Sequence, residues 1–127
     1  MTRPSPKELY LKIREARQAV AKKLVNAVKP DVIACDAIEL DYSIGTEMFE
    51  ILSELLDEIS PKHYVGKKPP EKSYEQEISG LDLFAFKIRS NRFKCRIYLK
   101  FTIFNGELWL VSLHQDRDKK EDERNEN

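Results

Sequence analysis

This 127-residue chain is short of cysteine and has no net charge. Cys35 and Cys95 are too few for a disulfide framework or a four-ligand zinc site, so no metal or other cofactor is expected. The same scarcity points to a reducing, cytoplasmic setting. No apolar run approaches the roughly 18 residues of a membrane span. The opening Met1-Thr2-Arg3-Pro4-Ser5-Pro6 leads into no apolar h-region, so a secretory signal is not expected. Hydrophobic residues still make up 41% of the chain, which argues against wholesale disorder. The length predicts a single domain over residues 1–115, with a charged tail over 116–127 expected to be disordered.

The neutrality is an average. Lysine and arginine number 22, matched by 22 aspartate and glutamate. Residues 1–30 hold eight basic and two acidic side chains, 31–61 hold nine acidic and none basic, and 62–100 hold ten basic and four acidic. Zero net charge therefore excludes a uniformly basic nucleic-acid protein, but encounter with a polyanion follows the local field.

Residues 5–28 read as a helix. Ser5-Pro6-Lys7-Glu8 forms a capping box with proline at the first helical position. Leu9, Ile13, Ala16, Val20, Leu24 and Ala27 keep helical spacing up to Lys29-Pro30. Residues 31–45 read as acidic and irregular, with a short strand at Val32-Ile33-Ala34. Thr46–Ile59 is a second helix, its stripe Met48, Ile51, Leu52, Leu55, Leu56 and Ile59, its glutamate-rich face read as solvated. Residues 61–80 form a long basic loop, and the period then changes to two. Leu81–Ile88, Cys95–Ile103 and Leu108–Leu113 read as three strands of an antiparallel meander. The fold class is α+β, with N-terminal helices packed on a small antiparallel sheet.

Strand Cys95–Ile103 alternates Ile97, Leu99, Phe101 and Ile103 against Arg96, Tyr98, Lys100 and Thr102. A two-residue Asn105-Gly106 turn would set Ser112 and His114 among the apolar residues. An odd loop or a bulge at Gly106 instead joins Trp109, Val111 and Leu113 to the apolar face. Tyr98 then faces His114, and Lys100 faces Ser112. The second register strands fewer polar groups and is preferred. It gathers a phenol, an ammonium and an imidazole, a set able to do phosphodiester chemistry. His114 or Lys100 would relay protons, and Lys100 or Arg117 would stabilise the charge on phosphorus. Such residues also occur as ordinary sheet surface. Cys35, Cys95 and Trp109 read as packed residues, and His63 as a loop surface residue able to stack on a base.

Ile97-Tyr98-Leu99-Lys100-Phe101, a short hairpin and Leu110-Val111-Ser112-Leu113 resemble the end of the MqsR-type toxins, small mRNA interferases of the RelE-like superfamily. The segment Ile59-Ser60-Pro61-Lys62-His63-Tyr64-Val65-Gly66-Lys67 resembles the family's helix end, and the similarity spans about residues 40–117. It implies a RelE-like sheet and cleavage of single-stranded mRNA by acid–base chemistry. It also implies the toxin role beside a cognate antitoxin protein. Tyr98 and Lys100 match the family's Tyr-Leu-Lys motif, and His114 takes the place of its final catalytic lysine, with Arg117 nearby. The family's loop lysine falls on Gly66, with Lys67 or Lys68 as substitutes. Its first-strand glutamine has no counterpart in Leu83-Phe84-Ala85-Phe86. Lys67, Lys68, Lys72 and Arg96 are the expected RNA-backbone contacts. The N-terminal helix lies outside the resemblance; it could pack on the sheet, pair with another chain as in a homodimer, or touch the antitoxin. A non-catalytic RelE-like module contacting protein or RNA is the rival reading.

Overall fold

The computed structural model describes residues 2–117. Its elements are α1 (Pro6–Ala21), β1 (Val25–Ala27), α2 (Pro30–Leu40), α3 (Ile44–Glu58), β2 (Phe84–Arg89), β3 (Arg96–Phe104) and β4 (Glu107–Gln115). Among the described residues the helices pack against one sheet of strand order β1-β4-β3-β2, an α+β fold. The meander β2-β3-β4 is antiparallel as expected. A fourth strand, β1, runs parallel to β4 and makes the sheet mixed. The tail over 118–127 lies outside the described residues, whereas Asp116 and Arg117 are anchored.

The first helix starts as its sequence predicts. Ser5 Oγ accepts the Glu8 amide at 3.1 Å, and Leu9, Ile13, Ala16 and Val20 are buried. It stops at Ala21 and does not run to residue 28. Leu24 N donates to Ala19 O (2.8 Å) and Lys23 N to Val20 O (2.9 Å), with Lys23 left-handed at φ 59°. This pair of bonds is a Schellman ending with lysine where glycine is usual. Released there, the chain extends along β4: Leu108 N donates to Leu24 O (2.9 Å) and Val28 N to Leu110 O (3.0 Å).

Residues 30–40 are helical, correcting the reading of an irregular segment with a strand at 32–34. Pro30 stands in the first turn of α2 and does not end the preceding helix; the helix buries Ile33, Asp36 and Ala37. Asp41, left-handed at φ 60°, closes α2 as Lys23 closes α1. Cys35 is exposed, not packed, and Cys95 is only partly buried.

The expected stripe of α3 is buried: Met48, Ile51, Leu52, Leu55 and Leu56 all face inward. They meet Phe84, Phe86, Ile97, Leu99, Phe101, Leu108 and Leu110 from the sheet. The glutamate face of α3 is not merely solvated. Arg92, in the β2–β3 loop, lies 3.1 Å from Glu47, 2.6 Å from Glu50 and 3.0 Å from Glu54, and Asn91 N donates to Glu58 Oε2 at 3.2 Å. The Arg92 side chain thus spans nearly two turns of helix and holds the meander to it.

Hydrogen bonding from Arg92 holds the Glu54 carboxyl below its ordinary range. A depressed carboxylate contributes stability above its unfolded pKa, and that contribution is lost as pH falls through the folded value. Arg92→Ala is therefore expected to melt below wild type at pH 7. The gap should narrow as pH drops below the ordinary glutamate range of about 4, and close once pH passes beneath the depressed value that Glu54 has in the folded protein. Thermal melts across that range check it, and a gap independent of pH would exclude the electrostatic origin.

Candidate active site

The β3–β4 ladder contains both registers considered for it. Near the Asn105-Gly106 turn, Phe104 pairs with Glu107, Ile103 with Leu108, Thr102 with Trp109 and Phe101 with Leu110. Past a bulge, Lys100 pairs with Ser112, Leu99 with Leu113 and Tyr98 with His114. Val111 is the unpaired residue, so the bulge sits mid-strand and not at Gly106. The core row on β4 is accordingly Leu108, Leu110 and Leu113. Trp109 is not in that row: it lies opposite Thr102 on the other face, partly buried. A bulge of this kind re-aims the side chains beyond it, which is why the second half of β4 carries Ser112 and His114 outward.

The face turned away from the helices carries Lys87 from β2, Arg96, Tyr98 and Lys100 from β3, and Ser112 and His114 from β4. The Tyr98 and His114 rings stack with centroids 5.1 Å apart and planes at 20°. His114 Nδ1 lies 2.7 Å from the Gln115 carbonyl oxygen. A carbonyl only accepts, so Nδ1 carries the proton in this contact, and the neutral ring keeps Nε2 as its acceptor. Burial pushes the Tyr98 phenol above its ordinary pKa; Glu71 adds to the shift and Lys87 opposes it. The phenol is therefore a donor at neutral pH.

Lys100 lies beside Tyr98 in a cleft of about 160 Å³ that Gly66, Lys67 and Glu71 close from the long loop. Glu71 links two cations: its Oε1 is 3.4 Å from Lys100 Nζ and its Oε2 is 3.4 Å from Lys67 Nζ. The charge of Lys100, then its hydrogen bond, holds the Glu71 carboxyl below its ordinary value. The loop itself is pinned to the sheet edge, with Val65 N donating to Ala85 O and Leu83 N to Glu71 O, each at 2.8 Å.

Residues named from sequence divide between this face and others. Tyr98, Lys100, His114 and Lys67 come together. Lys68 is exposed on the same loop. Arg96 stands at the far end of β3, 3.8 Å from Asp116. Lys72 is bound to Asp82, which also takes Arg3 at 2.8 Å, and so serves the loop's own closure. His63 is turned inward on its own turn, its Nδ1 accepting the Ser60 amide at 3.0 Å, and is not posed to stack on a base. Two members were missed: Lys87, directly opposite Tyr98 and 3.1 Å from Asp116, and Glu71. The polar row Lys87-Arg89 in β2's alternation marked the first; nothing local marked the second.

Arg117 does not join the site. It pairs with Asp36 (2.6 Å) and Glu39 (3.2 Å) of α2. By strand alternation it follows Gln115 and not His114, which sends it to the helix side of the sheet. The Asp36 side chain is only 6% exposed, and its Oδ2 has no hydrogen-bond partner among the described residues. Arg117→Ala is therefore expected to cost about 2 kcal/mol of stability, less than for a fully buried pair because half of the arginine is solvated. Most of that cost should vanish in an Asp36→Ala background, a cycle read by urea unfolding; additive losses would refute the pairing.

No helix among the described residues is long and apolar enough to cross a membrane. No protein-family model matches the chain, and no curated protein matches it.

Proposed function

We propose that the chain is an endoribonuclease cutting single-stranded RNA by metal-independent acid–base chemistry, the toxin half of a toxin–antitoxin pair. The observation that carries the reading is the Tyr98–His114 stack, with the Nδ1 proton of His114 committed to Gln115 O and Lys100 alongside. His114 Nε2 takes the proton of a ribose 2′-hydroxyl, and that oxygen attacks the adjacent phosphorus. Lys100 stabilises the charge that develops on the phosphorane. The 5′ oxygen leaves with a proton from Tyr98, which regains one from solvent while the imidazolium releases its own. The products are a 2′,3′-cyclic phosphate and a 5′-hydroxyl. Lys67 and Lys68 engage the backbone, and the mRNA substrate and the antitoxin protein are the partners implied.

The test is purified protein with single-stranded RNA in excess EDTA. Cuts ending in cyclic phosphate and 5′-hydroxyl support the reading. Saturable RNA binding without cuts supports the rival, a non-catalytic binding module, which the ion-paired state of Lys100 and Lys67 favours.

A further inference from the structure

We propose that the edge of β1, together with the apolar cleft beside it, is a docking site for an extended acidic segment of a partner protein. β1 ends the sheet, so its outer side is unpaired within the described residues. Val25 and Ala27 form one wall of a cleft of about 180 Å³ whose other walls are Ile33 of α2 and Ile44, Met48 and Phe49 of α3. That volume is slightly above the ~150 Å³ of an apolar cavity able to hold a benzene ring, so it takes one aromatic or branched side chain. Its lip is solvent-facing: Ile44 is 40% and Phe49 37% exposed. The site lies on the helix side of the sheet, away from Tyr98 and His114, and does not depend on the nuclease reading.

Charge selects the occupant. Lys22 and Lys23 precede β1, and the Lys23 ammonium stands 5.9 Å over the Phe49 ring; Lys29 follows β1 and is shared with Glu75 at 3.2 Å. A second copy pairing edge to edge would set these lysines against their own equivalents, which disfavours self-association. Residues 118–127 of this chain carry no apolar side chain and so cannot fill the cleft. A strand with an apolar anchor and acidic neighbours satisfies both walls: backbone bonds to the open edge supply affinity, the pocket and the lysines supply selection.

The probe is a short fluorescent peptide in which Glu alternates with Val about a central Phe, read by anisotropy, with a Lys-for-Glu counterpart as control. Wild type is expected to bind the acidic peptide saturably and more weakly as salt rises. Ile44→Asp should weaken binding about tenfold or more. The Lys23→Glu, Lys29→Glu double variant should lose the acidic peptide and gain the basic one. Phe49→Ser replaces Ile44→Asp should the latter melt below wild type. Absence of saturable binding, equal binding of the two peptides, or a wild-type dimer in sedimentation that Ile44→Asp dissociates would each overturn the proposal, the last by making a second copy the occupant.

Discussion

His114→Ala is expected to slow RNA cleavage by about 10²–10⁴-fold, the range for loss of a positioned general acid–base group. RNA affinity should change little, because the backbone contacts assigned to Lys67 and Lys68 stay in place. The ring is partly exposed and packs on Tyr98 without entering the apolar core, so the variant should fold. Tyr98→Phe separates the two parts of the argument. It keeps the stacked ring that orients His114 but removes the phenol, so it should lose rate at the leaving-group step while binding RNA normally. Single-turnover cleavage of a labelled RNA, beside an equilibrium binding curve, measures both. Cleavage surviving His114→Ala would remove the imidazole from the mechanism.

Phe86→Ala should be the most damaging of the single substitutions for stability, at about 3–5 kcal/mol. Phe86 is fully buried in β2, stacked on Phe101 at 5.9 Å and met edge-on by Tyr64 at 5.8 Å. The loss is a large share of the 5–15 kcal/mol that typically holds a domain folded. It should also reach the site, since Tyr64 stands two residues before Gly66 and its hydroxyl donates to Lys67 O. A drop in the urea midpoint with unchanged slope, together with a greater loss of activity than Leu52→Ala shows at a condition where both remain folded, would support this coupling. Equal activity at equal folded fraction would refute it.

Much of this architecture can be read in the residues, and its gaps have local causes. The α3 stripe and the alternation of β3 are long and regular, so periodicity found them. β1 is three residues long, too short for a period of two to register. Leu24 and Ala27 continue the helical spacing of the first helix straight through it. What ends that helix is Lys23 in a left-handed turn, and Asp41 ends α2 the same way; neither is the glycine that ordinarily marks such a stop. Pro30 is ambiguous by nature, able to follow one helix or begin another. For the site, the Tyr98–His114 pairing follows from the register that buries more apolar surface. A single register for the whole hairpin puts Trp109 on the apolar face, but the bulge at Val111 divides the hairpin and leaves Trp109 opposite Thr102. Glu71 and the destination of Arg117 depend on the path of a loop and on α2, which local patterns do not encode.

The unpaired Val111 also governs how this hairpin tolerates changes of chain length. Between the turn and Val111, partners are counted from Asn105-Gly106; beyond it, the count is one residue longer. Removing Val111 would bring Leu110 and Ser112 into succession opposite Phe101 and Lys100, each still facing its present partner. A one-residue deletion in an inner strand ordinarily turns every later side chain to the opposite face. Here it would leave His114 beside Tyr98 and Leu113 in the core, giving up only the local twist.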